Sequence, residues 1–295
     1  MKVYRDSLIE NSDTINIAFW NINKKELSDL LVEFTHENNV DILCLAEVHE
    51  NTVSEFIKKI NSFDANDYKQ ITASKDKVIV ISRYPEDNFI DKSNLYSSKR
   101  FTAHYFQIPL LIEFNLITLH FHSKQNWSDI SQAMECATLA QAIREIEKNT
   151  QSSNTIVIGD FNMNPFEIGM LSTNGFHAIP DLALANQSKS RKVDDVHYPF
   201  FYNPMWNFFG DFQEPSGTFY YRSSQSISYE WHIFDQVIFR PSVAEYLDDN
   251  YMEIITKVFT ESLLSPLKRP DSKLYSDHLP IIFKLNTRKK WQLQQ

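Results

Sequence analysis

A chain of 295 residues with 38 acidic and 29 basic side chains carries a formal net charge of -9, and 42% of it is hydrophobic. Such a composition folds and can bury about three quarters of its unfolded surface, which excludes disordered, collagenous and coiled-coil classes; no apolar run approaches the roughly 18 residues of a membrane span. Only five glycines are present, never clustered, and neither GxGxxG nor GxxxxGK(S/T) occurs; glycine-rich phosphate cradles are therefore excluded, and the acidity disfavours broad adhesion to nucleic acid.

Residues 1–14 mix charges and lack the apolar stretch of a secretory signal. The run 15–20 is β-prone, and Asn23 precedes Glu26 at capping-box spacing before Leu27, Leu30, Leu31 and Phe34 at helical intervals. Residues 41–47 read as a strand ending in a carboxylate, and Thr52 with Glu55 repeats the capping pattern ahead of Val53, Phe56, Ile57 and Ile60. A strand at 77–82 stops at Pro85. Two more, 101–107 and 111–122, are joined by a turn around Pro109.

A long helix is predicted over 128–148, with Ile130, Met134, Ala137, Ile143 and Ile146 on one stripe. The buried strand 155–158 runs into Gly159-Asp160-Phe161-Asn162, the stretch 165–216 reads as irregular, and strands are expected at 217–221, 231–240, 253–259 and 279–285. No repeat or linker divides the chain, which predicts one domain over 1–295 with its core at about 14–286. Strands alternating with helices point to a layered α/β fold, two sheets sandwiched between helices. Cys44 and Cys136 sit in apolar patterns, as buried inert thiols of a reducing cytoplasm do.

Polar residues recur where apolar runs end: Asn21 after IAFW, Glu47 after ILCLA, His120 after LITL, Asp160 and Asn162 around IVIGDFN, Asp235 after WHIF. Asp277 and His278 instead open a strand in SDHLPIIF. Charges at the ends of buried strands are costly unless paired or metal-bound. Carboxylates, amides and histidines without a thiolate set favour a hard, oxygen-held cation, best Mg²⁺ with Mn²⁺ able to substitute. Zinc would want a His or Cys set at short spacing, and no thiolate set is present, so a zinc site is disfavoured.

The elements WNIN at 20–23, LAE at 45–47, VIVISRYP at 78–85, LHFHS at 119–123, GDFN at 159–162, DQVIF at 235–239 and SDHLP at 276–280 span nearly the whole chain. In this order and strand context the sequence resembles the endonuclease/exonuclease/phosphatase superfamily, the deoxyribonuclease I-like fold. The resemblance implies a four-layer α/β sandwich, two mixed β-sheets packed face to face and flanked by helices. It implies Glu47 as the principal Mg²⁺ ligand, helped by Asn21 and Asp277. By the same resemblance Asp160 orients or deprotonates the attacking water, and Asn162 holds that water or a phosphate oxygen. His278, fixed by Asp235, stabilises charge on the phosphate, and His120 assists the leaving oxygen. Gln236, where the family often has an aromatic or arginine, leaves Asp235 intact.

Arg100 and His104 lie on a strand that lines the site or forms a structural pair, and Arg100 and His122 are the candidates for substrate contact. Residues 198–221 hold eleven aromatics, and between Val193 and Tyr221 there is no Lys or Arg. Aromatic platforms stack bases or meet lipid, whereas a segment without cations does not track a phosphate backbone. Lys24-Lys25 either touches a substrate phosphate or is a solvated helix start. The expected activity is Mg²⁺-dependent hydrolysis of phosphodiester bonds in nucleic acid, most simply by an endonuclease. A phosphatase or phospholipase C-type hydrolase of a small phosphate ester or lipid uses the same site, and a catalytically silent binding protein is the remaining alternative.

Overall fold

The computed structural model describes residues 13–287 apart from 64–66, 75–76, 96–98, 126, 213, 225 and 248–249. Residues 1–12 of the segment 1–14 behind the secretion expectation lie outside the described residues, as do residues 288–295.

β1 (Thr14–Asn21) and β2 (Ile42–Ala46) pair in parallel, and β3 (Lys69–Ile71) and β4 (Val78–Ser82) extend the sheet antiparallel. With Met252–Ile254 and Ile281–Asn286 they form a six-stranded sheet, the latter strand lying against β1. β5 (Phe89–Asp91), β6 (Phe101–Ile108), β7 (Ile112–His120) and β8 (Thr155–Asp160) continue through Asp235–Phe239, Phe201–Tyr202 and Ala178–Ile179 into a seven-stranded sheet. Both sheets mix parallel and antiparallel pairs.

Strand alternation sorts the side chains into layers. Phe114, Leu116, Ile156 and Ile158 join Ile17, Phe19, Leu43 and Leu45 in one core. Their neighbours Ile117, Leu119 and Val157 turn the other way, onto Cys136, Leu139, Ile143 and Ile146 of the helix Asp129–Thr150. Helices Ser28–Glu37 and Glu50–Phe63 bury Leu31, Phe34, Phe56 and Ile60 in the first core. The result is a four-layer α/β sandwich of two mixed sheets between helices, and both cysteines are free and buried as expected.

Several local expectations are corrected. The first helix starts at Ser28, not behind an Asn23 cap: Asn23 is left-handed (φ 46) and its amide reaches Asp277, while Glu26 Oε1 accepts from Ser28 N–H at 3.2 Å. Thr52 lies inside the helix that begins at Glu50 and donates its hydroxyl to Glu26, so it is no cap either. In the long helix the inward stripe is Gln132, Cys136, Leu139, Ile143 and Ile146, whereas Ile130 and Met134 are exposed. A polar Gln132 takes the first inward position because its amide bonds the carbonyls of His122 and Asn162 at 3.0 and 3.1 Å. β7 stops at His120, and 231–240 breaks into Trp231–His232 and Asp235–Phe239. The stretch expected to be irregular carries a helix, Leu182–Ser188, and a hairpin, Ser190–Val193 with Val196–Pro199.

One glycine is required where the site begins. A Cβ on Gly159 would sit 2.0 Å from the Leu119 carbonyl oxygen of the neighbouring strand. Backbone cannot yield as a flexible side chain does, so Gly159→Ala is expected to cost about 3 kcal/mol or more. Chemical denaturation checks this, as a lower midpoint with an unchanged slope.

Candidate active site

Register assembles the site. In the seven-stranded sheet His120 is paired with Asp160, and Asp160 with Asp235, so three strand ends stand abreast. In the facing sheet Asn21 is paired with Ala46, which puts Asn21 beside Glu47 at the same end. Asn21 Nδ2 bridges the sheets, 3.1 Å from Asp160 Oδ2 and 3.4 Å from Glu47 Oε1. His120 Nε2 lies 3.7 Å from both Glu47 Oε1 and Asp160 Oδ2.

The SDHLP segment is fixed between the sheets. Ser276 donates to the Asn21 carbonyl at 2.6 Å and accepts from His278 N–H at 3.1 Å, while Trp20 Nε1 donates to the His278 carbonyl at 3.0 Å. His278 Nδ1 is thereby held 2.8 Å from Asp235 Oδ2, with Nε2 4.0 Å from Asp160 Oδ2. Thr218 Oγ1 accepts from Asp235 N–H at 3.1 Å, and the Phe219 ring stands 4.6 Å from the His278 ring.

Burial opposes the imidazolium of His278, but the charge and hydrogen bond of Asp235, with Asp160 and Asp277 adding, push its pKa up to about 10. Burial also raises the Asp235 carboxyl, and His278 draws it back. The pair thus rests as imidazolium and carboxylate at neutral pH, and Nε2 carries a proton toward the cleft. Because the folded-state pKa lies above the ordinary value, the stability this pairing contributes is full below about pH 6.5 and is lost as pH rises through about 10. The ring resonances of His278 are accordingly expected to be those of imidazolium at pH 8, and neutral-ring shifts there would contradict the pairing.

The remaining expected residues are placed as follows. Asn162 is left-handed (φ 50); its N–H donates to Asp160 Oδ1 at 2.9 Å and its amide to the Phe121 carbonyl at 3.1 Å. Asp277 is half-buried and accepts from Asn23 Nδ2 at 2.9 Å. The Arg100 carbonyl accepts from His120 N–H at 3.0 Å. His122 turns away from the carboxylates, its Nδ1 3.2 Å from Glu135 Oε1 and its ring stacked on Trp127 at 3.7 Å. His104 is buried, its Nε2 3.4 Å from the Thr72 carbonyl. Gln236 is structural: it accepts from Asn203 at 2.8 Å and donates to the Met163 carbonyl at 2.6 Å. Lys24 Nζ stands 3.8 Å from Glu47 Oε2.

Sequence reasoning missed Asn23, Thr218, Ser276 and Gln132, which hold the site residues rather than ending an apolar run. It also gave no role to His232, which sits 3.1 Å from the Asn164 amide and whose pKa burial, with Lys124, lowers to about 4.

Among the described residues, Asp160, Asp235 and His278 are the group whose ligand atoms come within 4.8 Å of one another. Asp235 Oδ2 is already taken by the His278 ring, so this group suits proton sharing better than a cation cage. Glu47 suits a hard cation better: its carboxylate is partly exposed, and its nearest polar neighbours stand at 3.4 to 3.8 Å, beyond tight hydrogen bonding. Mg²⁺ binds through one or two carboxylates and keeps several waters, a requirement the Glu47 carboxylate fits. Direct ligation by Asn21 would require the opposite amide orientation, since its oxygen accepts from Asn23 N–H at 3.1 Å.

The sequence profile of the Endonuclease/Exonuclease/phosphatase family matches residues 14–278. No curated protein gives a significant sequence match. Among solved structures, TDP2 of D. rerio complexed with single-strand DNA product is 15% identical with a TM-score of 0.53, covering 94% of this chain and 100% of that chain. The endonuclease domain of TRAS1, a telomere-specific non-LTR retrotransposon, is 12% identical with a TM-score of 0.52, covering 93% and 99%. A family protein from Bacteroides thetaiotaomicron is 13% identical with a TM-score of 0.53, covering 92% and 97%. At such identities the likeness is one of fold, and the profile match over nearly the whole chain adds membership: the chain belongs to the endonuclease/exonuclease/phosphatase family.

Proposed function

We propose that the chain is a Mg²⁺-dependent phosphodiesterase that hydrolyses phosphodiester bonds of nucleic acid, most simply an endonuclease, with Mn²⁺ able to substitute. The observation that carries this reading is the convergence of His120, Asp160 and Asp235 from adjacent strand ends with His278 of the segment between the sheets, opposite Glu47. The similar TDP2 of D. rerio, which holds a single-strand DNA product, supports nucleic acid as the substrate class.

Hydrolysis at phosphorus needs an activated water, stabilisation of charge on the equatorial oxygens and help for the leaving oxygen. Asp160 takes the first role, orienting or deprotonating the water, with its carboxylate set by the N–H of Asn162 and the amide of Asn21. His278 takes the second: its charged ring, backed by Asp235, donates from Nε2 to a phosphate oxygen. His120, between Glu47 and Asp160, serves the leaving oxygen. Glu47, with Asp277 directly or through water, would hold the cation, which supplies Lewis-acid charge to the phosphate. Arg100, partly exposed and bonded through its carbonyl to His120 N–H, would contact substrate.

A second reading on the same site is a phosphatase or phospholipase C-type hydrolase of a small phosphate ester or lipid. The exposed Phe212, Tyr221, Ile227 and Tyr229 favour it, as does the absence of Lys and Arg from residues 193–221.

The test is cleavage of plasmid, single-stranded DNA and RNA by the purified chain. Cleavage in Mg²⁺ that stops in EDTA and returns with added Mg²⁺ is expected. Glu47→Gln should raise the Mg²⁺ concentration for half-maximal rate by at least about ten-fold, as loss of a metal ligand does. Cleavage that persists in EDTA would overturn the metal assignment.

A further inference from the structure

A cavity opens at the same end of the seven-stranded sheet, on its helix-covered side. It has a volume of about 410 Å³ and is lined by Phe101, Phe121, Trp127, Met134 and Glu135, with Ser131 and Thr138 adding hydroxyls. Phe101 is paired with Leu119 at the top of β6 and β7, and Phe121 follows His120 directly, so the cavity adjoins the catalytic strand ends. Gln132 couples the two: its amide holds the His122 carbonyl behind the cavity and the Asn162 carbonyl behind Asp160.

We infer that this cavity is a subsite for one unpaired nucleobase of a single-stranded substrate, the base lying against Trp127 with an exocyclic amino group donated to Glu135. This rests on the nucleic acid reading of the site. The volume falls in the range of small-ligand pockets. The indole is held flat by the His122 ring at 3.7 Å and an interplanar angle of 6°, a platform immobilised before any ligand arrives. Base stacking on such a platform is tolerant of sequence.

Glu135 decides between ligand classes. Its carboxylate accepts from His122 Nδ1 at 3.2 and 3.3 Å through its two oxygens, which leaves acceptor capacity on both. A carboxylate and two hydroxyls in the wall are unfavourable for an acyl chain, and the negative charge repels a phosphate, whereas the amino edge of a base is a matching donor. Exposed Lys99 lies two residues before Phe101, a cation close in the chain to the cavity wall.

The test measures binding of a fluorescein-labelled single-stranded oligodeoxycytidylate in Mg²⁺, with Asp160→Asn in all proteins to suppress turnover. Trp127→Ala is expected to weaken binding by about ten-fold or more. Thr138→Trp, at an exposed helix position, plugs the cavity and should do the same where Trp127→Ala does not fold. Glu135→Gln should reduce the preference for oligodeoxycytidylate over oligothymidylate. Unchanged binding in both the Trp127 and Thr138 variants, with the parent binding tightly, would overturn the subsite and leave the nuclease reading standing. A parent that binds no oligonucleotide but hydrolyses a monoester would remove that reading and the subsite with it. Loss of retention on phosphatidylcholine–sphingomyelin vesicles in Trp127→Ala, with oligonucleotide binding unaltered, would overturn the subsite in favour of lipid.

Discussion

Asp160→Asn is expected to lower kcat for phosphodiester hydrolysis by about 10²–10⁴, the usual cost of deleting a general base. Asp160 is buried at the end of β8 with two acceptor contacts, Asn162 N–H at 2.9 Å and Asn21 Nδ2 at 3.1 Å. Asparagine keeps the volume and one of these contacts, but its NH₂ then faces the amide of Asn21, donor against donor. The stability loss is about 1–3 kcal/mol, the price of a lost buried hydrogen bond, and the fold survives. Circular dichroism with steady-state kinetics separates the two effects, and a correctly folded variant with wild-type kcat would remove Asp160 from the chemistry.

The second large effect is expected at a residue that need not touch substrate. Asp235→Asn should lower kcat by about 10²–10³ at pH 7.5, because Asp235 is what keeps the buried His278 charged. Without the carboxylate, burial is opposed by the smaller effects of Asp160 and Asp277, and the pKa of the ring falls from about 10 toward neutrality. Residual activity of the variant should therefore rise toward acid pH, where imidazolium reforms, while the wild type keeps its imidazolium well above neutrality. A variant whose pH–rate profile matches that of the wild type would show that the pair serves only to hold the fold.

The strand-end carboxylates and histidines were legible in the sequence because each interrupts an apolar run at a place where charge is costly. Glu47 after ILCLA and Asp160 within IVIGDFN needed no more than the alternation and length of their strands. What was not legible is how the site is held. Asn23, Thr218, Ser276 and Gln132 are small or ordinary polar residues whose roles depend on partners 17 to 255 positions away. Capping patterns misled at Asn23 and Thr52 because tertiary partners, Asp277 and Glu26, took their side chains. The same competition explains the long helix, where Gln132 displaced an apolar residue from the inward stripe.

The shortage of glycine also has a local consequence. Asn23, Lys24, Glu47 and Asn162 all adopt left-handed backbone, at φ 46, 57, 47 and 50. Asparagine tolerates that region, whereas lysine and glutamate do so at a cost that surrounding structure must offset. Lys24 N–H donates to the Glu47 carbonyl at 2.7 Å, so the two strained residues hold each other. The turn after β2 thereby aims Glu47 across the cleft at His120, which no spacing rule in the sequence expresses.

The central claim is the class of bond broken, and parallel incubation tests it most directly. Purified protein with Mg²⁺ is given plasmid, single-stranded DNA, RNA, a phosphomonoester and sphingomyelin, with EDTA and His278→Ala as controls. Internal cleavage of a nucleic acid, abolished by EDTA and by His278→Ala, is the predicted result. Hydrolysis of the monoester or of sphingomyelin alone, with every nucleic acid left intact, would contradict it.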